Sequence, residues 1–246
     1  MDRREPSRQP ISDTVKEPSF WDHLEELRRR LLRMLAALAG VSLLVYWKSP
    51  ALLAFLARPV GDLFFFAPAE AFLVRLKVTV VAALLITLPY HHWEVWRFLQ
   101  PAFTERERRP VGLVWWMALV LFYLGAGFAL LLAVPLGIRV LLGFGGPALQ
   151  ALLRAGDYVN FALLLILAFG LLFEFPLVVV ALTWLGVLDP WTLGRYRREV
   201  IVGVFVLAAV VTPSVDFVTQ TLLALPLIIL FEVGLRIARR LKRRTP

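Results

Sequence analysis

Residues Ser19–Arg33, SFWDHLEELRRRLLR, place carboxylates and guanidinium groups directly before a long apolar run. Ser19 followed by Asp22 is typical of a helix start, because both side chains can satisfy backbone amides that lack partners within the helix. The leucines recur at spacings of three and four residues and share one helix face, while the charged side chains lie on another. The stretch therefore predicts an amphipathic helix near a membrane surface.

The charged face of this helix has two open interpretations. Glu25 and Arg29 are spaced i,i+4, as are Glu26 and Arg30, and such pairs stabilise an exposed helix by about 0.2–0.5 kcal/mol each. The first interpretation is a solvated face held by these pairs. The second is an acidic surface that binds a cationic ligand, and residue spacing does not separate the two.

Composition indicates a polytopic, all-α membrane protein. Of 246 residues, 59% are hydrophobic and 18% are charged, and the mean hydropathy is +0.73, which is far more apolar than a soluble domain. A net charge of +9 would suggest nucleic acid in a soluble chain, but here the distribution of charge is more informative, and no nucleic-acid partner is expected. Cysteine is absent, which excludes disulfides and thiolate chemistry.

Enzyme chemistry and cofactors have little support in the sequence. Three histidines are too few and too poorly spaced for a metal site. There is no nucleophile–base arrangement and no glycine-rich phosphate loop. We therefore expect neither catalysis nor a bound cofactor.

Apolar runs predict six transmembrane helices. The last two are short and imply local bilayer thinning or contact with a partner helix. Residues 1–18 are predicted to be a disordered tail, 19–236 the membrane domain and 237–246 a basic tail, with a cap in the proline-interrupted segment 49–68. We also expect a polar loop over 90–110 and a glycine-rich loop over 135–156. The predicted spans are Leu31–Trp47, Ala71–Pro89, Val111–Val134, Tyr158–Leu185, Val200–Thr212 and Phe217–Gly234.

Basic residues predict the orientation of these spans. If the N-terminus is cytoplasmic, 21 of the 27 Lys and Arg residues fall in cytoplasmic segments. Cytoplasmic segments are generally enriched in Lys and Arg, so both termini are expected inside. Arg75 and Lys77 lie near the outer end of the second predicted span, where long side chains can reach the headgroups.

Five motifs resemble the TatC family of twin-arginine translocase subunits, and the resemblance covers about Phe20–Arg236. The family implies a signal-peptide receptor and core scaffold that moves folded proteins across the bacterial cytoplasmic membrane, driven by the proton-motive force. It implies the single-span partners TatA and TatB, several copies of the chain within the receptor complex, and a cap on the periplasmic side. The motifs, in chain order, are HLEELRRRL, PAFTERERR, FEFP, TPSVD and TQTLLALPLIILFE.

The resemblance implies a site for the two arginines of the signal peptide. Glu26 and Arg28 match the N-terminal motif, Glu107 matches the acidic position after the second span, and Phe98 matches an aromatic position upstream that could cover the site. Glu94 is included, although the family more often has glutamine there. A carboxylate binds a guanidinium through two parallel hydrogen bonds, which lysine cannot reproduce. Glu26 and Glu107 are therefore expected to converge.

Four further polar residues match functional regions of the family. Glu174 matches the intramembrane acid; the alternative is a protonated core glutamate. Pro176 follows it and is expected to kink the helix. Thr212, Asp216 and Gln220 match the region where partner helices dock. Turn formation explains Thr212 equally well, and Asp216 could be a helix N-cap.

Two other functions remain open. Glu174 and the broken helix could belong to a proton-coupled transporter of small solutes, although no inverted repeat is visible. The chain could also be a membrane structural subunit.

Overall fold

The computed structural model describes residues 20–143, 152–211 and 217–242. This part of the chain is helical and contains one isolated parallel bridge, between Phe64 and Arg154. A 3₁₀ turn, Gln100–Ala102, follows the third helix, and a π-helical segment, Ala129–Ala133, follows the fourth. The α-helices are α1 Phe20–Tyr46, α2 Ser49–Ala57, α3 Pro68–Leu99, α4 Glu105–Phe128, α5 Val134–Gly143, α6 Ala155–Leu172, α7 Phe175–Trp184, α8 Pro190–Arg195, α9 Arg197–Val211 and α10 Phe217–Lys242.

Three of the helical stretches in the described residues are long and apolar enough to cross a membrane. These are Pro68–Ala102, Glu105–Gly143 and Ala155–Trp184. The pair His23–Tyr46 and Ser49–Ala57, bent by 75°, could add a fourth. The chain is thus a multi-pass membrane protein, and the count of six spans stays a prediction. α9 has 15 residues, or about 22 Å of helix, which is short for a hydrocarbon core of about 30 Å.

Two predicted loops contain helix in the residues that the structure describes. Residues 90–110 were expected to be a polar loop, but α3 continues through Pro89 to Leu99 and α4 begins at Glu105. The ring centroids of His92 and Trp115 are 4.3 Å apart, and the Trp115 indole donates a hydrogen bond to the His92 carbonyl (3.1 Å). Packing against α4 thus supports a helix that its polar composition argued against. α5 likewise occupies the first part of the expected loop 135–156.

The predicted break in the fourth span is present. α6 ends at Leu172 and α7 begins at Phe175, with Pro176 in its first turn. Proline lacks the amide hydrogen that would continue the helix, so a boundary here is the expected result. Glu174 occupies the N-cap position of α7.

The core lies where α6 packs against α3 and α4 and where α10 packs against α7. Small residues permit these approaches. A Cβ at Gly125 of α4 would overlap the carbonyl oxygen of Phe169 of α6, and one at Gly234 of α10 would lie 2.7 Å from the Cα of Pro176. Phe169, Phe231 and Leu165 are among the largest fully buried side chains.

At the other end of the bundle from the start of α1, a buried carboxylate joins two segments. Glu70 of α3 accepts hydrogen bonds from Nε of Arg154 (2.9 Å) and from the amides of Gly156 (3.1 Å) and Phe66 (3.2 Å). The backbone of Phe64 also bonds to Leu153 and Ala155. These contacts, together with α2, form the region where a cap was predicted.

Candidate functional site

The candidate site lies where the first turns of α1 meet the last turns of α3. The rings of His23 and Phe98 are 5.3 Å apart. Glu26 is three residues after His23 on α1, and Glu94 is four residues before Phe98 on α3, so both carboxylates lie on the facing sides of these helices. The fold therefore brings three of the predicted site residues to one place.

Glu94 is buried, with an exposed fraction of 3%. Its Oε2 accepts from Nη1 of Arg30 (2.8 Å), and its Oε1 accepts from the Tyr90 hydroxyl (3.1 Å) and forms an ion pair with Nη1 of Arg33 (3.2 Å). Both oxygens are therefore engaged by the chain itself. This burial favours a role for Glu94 in positioning its neighbours. Direct contact between Glu94 and a signal peptide stays a prediction.

Arg30 donates hydrogen bonds to Glu26 as well as to Glu94. Only Oε1 of Glu26 is used, accepting from both Nε and Nη2 of Arg30. Among the described residues, Oε2 of Glu26 accepts no hydrogen bond, and the side chain is 38% exposed. Arg30 thus holds Glu26 by one oxygen and leaves the other accessible at the surface.

Glu107 lies in the first turn of α4, where it completes a capping box. Its Oε2 accepts from the amide (3.1 Å) and the hydroxyl (2.7 Å) of Thr104, whose own hydroxyl caps the helix. Oε1 accepts no hydrogen bond within the described part of the chain. Like Glu26, Glu107 therefore has one oxygen held and one available.

The other charges around these carboxylates are exposed, except Arg108, which is half-buried. Glu25 pairs with Arg29 (3.0 Å) as the i,i+4 spacing predicted, and Glu105 pairs with Arg108 (3.5 Å). Arg28 is exposed on α1. Among the described residues, no lysine or arginine forms an ion pair with both Glu26 and Glu107. No cluster of three or more His, Asp or Glu suited to a metal occurs in the same residues.

The remaining predicted residues lie elsewhere. The side chain of Glu174 is half-buried at the break between α6 and α7 and has no hydrogen-bond partner among the described residues. Gln220 of α10 donates from Nε2 to the Phe205 carbonyl of α9 (2.7 Å), which joins α9 to α10; α10 has 26 residues and is longer than the short last span that was predicted. Thr212 and Asp216 lie outside the described residues.

The comparisons with known proteins agree with this architecture. The family profile described as Sec-independent protein translocase protein (TatC) matches residues 22–226. The chain belongs to the TatC family. It is 32% identical to the TatC protein of Carboxydothermus hydrogenoformans over 92% of this chain and 95% of that one. The corresponding values for the Escherichia coli TatC protein are 32%, 88% and 86%.

Solved TatC structures have the same fold. The crystal structure described as the twin-arginine translocase receptor TatC in DDM superposes with a TM-score of 0.75 at 31% identity, over 88% of this chain and 99% of that chain. A second structure of that receptor gives a TM-score of 0.74 at 32% identity. This chain is therefore a subunit of a Sec-independent protein translocase and has the all-helical TatC architecture.

Sequence reasoning missed the roles of Arg33 and Tyr90 and the second partner of Arg30 in this TatC chain. Spacing predicted the Glu26–Arg30 pair but could not show that Glu94, 64 residues further along, completes it. A glutamate on a helix between aromatic residues was the available signal, since an ionised carboxylate at such a position needs a cationic partner.

Proposed function

We propose that this TatC chain is the signal-peptide receptor and core scaffold of a twin-arginine translocase, and that Glu26 and Glu107 each bind one arginine of the cargo's signal peptide. The proposal rests on a feature that Glu26 and Glu107 have in common. In each carboxylate, one oxygen accepts hydrogen bonds from neighbouring residues of this chain, and the other oxygen is available to a ligand. An oriented carboxylate oxygen can accept charge-assisted hydrogen bonds from two nitrogens of one arriving guanidinium, as Oε1 of Glu26 does from Arg30, and a lysine ammonium cannot reproduce this geometry.

The other site residues take supporting roles in this proposal. Glu94 neutralises Arg30 and Arg33, so the chain's own arginines compete less for Glu26. Phe98, in contact with His23, covers the apolar side of the site. Arg28 is exposed next to Glu26 and orients the backbone or carboxylates of the incoming peptide.

The direct test is binding of a twin-arginine peptide to the purified full chain, with a twin-lysine peptide as the control ligand. Glu107→Gln is the sharpest variant, because glutamine also forms a capping box and only the charge is lost. We expect it to weaken twin-arginine binding about tenfold to a hundredfold, as for a lost hydrogen bond to a charged group. Glu26→Gln should behave similarly.

Glu25→Gln is the matched control, since it removes one exposed negative charge next to Glu26. It should change binding by less than about twofold, in line with a screened surface charge. Equal binding of the twin-arginine and twin-lysine peptides to the unmodified chain would refute the recognition mechanism.

Glu174 is proposed to act in transport rather than recognition. Its half-buried carboxyl at a helix break is suited to hydrating a concave face used for transport or contacting a bound signal peptide. Glu174→Ala should impair export of a folded reporter and leave twin-arginine peptide binding largely intact. Export at the level of the unmodified chain would contradict this role.

The proposed partners are the single-span subunits TatA and TatB, docking near α9 and α10 in a complex that contains several copies of this chain. Gln220 uses its amide nitrogen within the chain, so its carbonyl oxygen remains to bond an incoming helix. Thr212 and Asp216 are proposed for the same surface. Gln220→Leu should lower co-purification of TatA and TatB several-fold, and unchanged co-purification would exclude the docking role.

The proposed location is the bacterial cytoplasmic membrane, with both termini inside. The inner end then carries the acidic site within an otherwise basic surface, where cytoplasmic signal peptides arrive. Protease accessibility of a C-terminal tag in inverted vesicles, but not in intact spheroplasts, is the expected result.

A further inference from the structure

An open cavity of about 590 Å³ lies between α2 and α3, at the end of α1 opposite the acidic site. α2 is bent by 75° from α1, so if α1 spans the membrane, α2 runs close to the membrane plane. The cavity is lined by apolar residues, among them Pro50, Leu53 and Leu63, and by Arg58 and Arg75. Neither arginine belongs to the site described above.

Arg75 is held in a defined orientation. Its Nε donates to the hydroxyl of Ser49 (3.1 Å), and its guanidinium carbon lies 5.0 Å from the ring centroid of Tyr46. Ser49 is fully buried and donates to the Tyr46 carbonyl (2.7 Å). The two terminal nitrogens of Arg75 make no hydrogen bond or ion pair within the described residues, so an oriented arginine with two unused donor nitrogens is one of the residues that line the cavity.

Arg58 supplies a second cation. It is exposed, it lies 5.0 Å above the Phe55 ring, and it pairs with no carboxylate among the described residues. Asp62 lines the same cavity and forms no ion pair there either. The lining therefore carries two positive charges and one negative charge.

We propose that this cavity binds the phosphate of an anionic phospholipid, with Arg58 and Arg75 as its donors and an acyl chain lying along the apolar lining. The depth of the site suits such a ligand. Arg75 is seven residues into α3, about 10 Å along the helix from its start at Pro68, within reach of the headgroup region. Guanidinium groups form paired hydrogen bonds with phosphate oxygens, and the apolar residues of the lining can contact the acyl chains of the lipid.

The proposal goes beyond the translocase function and is tested separately from it. The full chain is purified in detergent with phosphatidylglycerol, and retained lipid is counted by native mass spectrometry. Arg58→Gln and Arg75→Gln should each lower retention about fivefold, the effect of one cationic contact near an anionic headgroup. Asp62→Asn should raise it, because the competing negative charge is removed.

Lys77→Gln is the matched control. Lys77 lies two residues from Arg75 at similar depth, but it bonds to Asn160 (2.8 Å) and lines a different cavity. Its substitution should change retention by less than about twofold. Arg58 is exposed, so its variant keeps the fold, which the twin-arginine peptide assay checks independently.

The proposal would be overturned by unchanged phosphatidylglycerol retention in both arginine variants, by an equal loss in the Lys77 variant, or by equal retention of phosphatidylcholine. A further arm distinguishes a lipid from a free anion. Inorganic phosphate at 10-fold excess over lipid should not displace phosphatidylglycerol, because it lacks the acyl chain, whereas complete displacement would assign the cavity to soluble phosphate instead.

Discussion

The buried charge cluster between α1 and α3 gives a prediction that can be worked out in detail. Glu94→Ala removes a carboxylate that is 3% exposed and leaves Arg30, 7% exposed, with one partner fewer. It also removes the acceptor of the Tyr90 hydroxyl and the partner of Arg33. The substitution therefore leaves a buried guanidinium incompletely compensated.

The size of the effect follows from what remains. Breaking a buried ion pair by removing one partner costs about 3–5 kcal/mol. Arg30 retains Glu26, which accepts from two of its nitrogens, so we expect the lower end, about 3 kcal/mol. For a chain of this size the corresponding fall in Tm is about 6–12 °C.

Thermal unfolding of the detergent-purified protein, followed by the fluorescence of its eight tryptophans, measures this shift. Glu25→Ala is the control, because it breaks the Glu25–Arg29 pair whose side chains are 68% and 69% exposed. Such a pair contributes at most about 1 kcal/mol. Equal shifts in the two variants would refute the view that the Glu94 cluster is buried and structural.

A double variant separates lost pairing from lost packing. Arg30→Met combined with Glu94→Leu removes both charges, and replacing a buried pair by apolar residues is often neutral or stabilising. We therefore expect the double variant to be closer in Tm to the unmodified chain than Glu94→Ala is. A double variant less stable than Glu94→Ala would show that the pair contributes net stability beyond avoiding an unpaired charge.

Three other substitutions test particular contacts by the same unfolding assay. Gly125→Ala should cost about 1–3 kcal/mol by forcing α4 away from Phe169, whereas Gly127→Ala, with open space around it, should be nearly neutral. Glu70→Ala leaves two backbone amides unpaired and should cost about 2–3 kcal/mol, while Glu105→Ala, 91% exposed, should have little effect. Hydrogen bonds from Lys242 and Thr192 hold the pKa of Asp189 well below its usual range, and Asp189→Asn preserves the helix cap but not the ion pair. Since the folded pKa is depressed, the ionised form stabilises the fold above the ordinary Asp pKa of about 3.9, and this contribution disappears as pH falls through the folded pKa. The variant should thus be less stable than the unmodified chain above about pH 4, and the difference should shrink at lower pH; a difference that is constant with pH would contradict the pairing.

Several local features could be predicted from the sequence because their causes lie within a few residues. The i,i+4 spacing predicted the Glu26–Arg30 and Glu25–Arg29 pairs, and Pro176 predicted the end of α6. The helix over residues 90–99 could not be predicted in this way. Its polar composition favours a loop, and contacts with distant helices compensate, because Trp115 of α4 packs on His92 and Arg30 of α1 pairs with Glu94.

Long-range partners had no signal in the spacing. The resemblance implies Glu94 as part of the signal-peptide site, which stays a prediction, and no spacing indicates the Arg30, Arg33 and Tyr90 side chains that the fold places around it. Glu70 was noted only as a neighbour of Arg75 and Lys77, yet it bonds to Arg154 and to the start of α6.

The sequence by itself determined that this chain is a helical membrane protein of the TatC family, because hydropathy, charge bias and motif order are properties of the linear chain. The tertiary structure alone decided which carboxylates are available to a ligand. Glu26 and Glu94 are the same residue type next to the same arginine, but packing buries one and leaves an oxygen of the other accessible. Burial and charge compensation depend on every helix that surrounds a side chain, and those neighbours come from distant parts of the sequence.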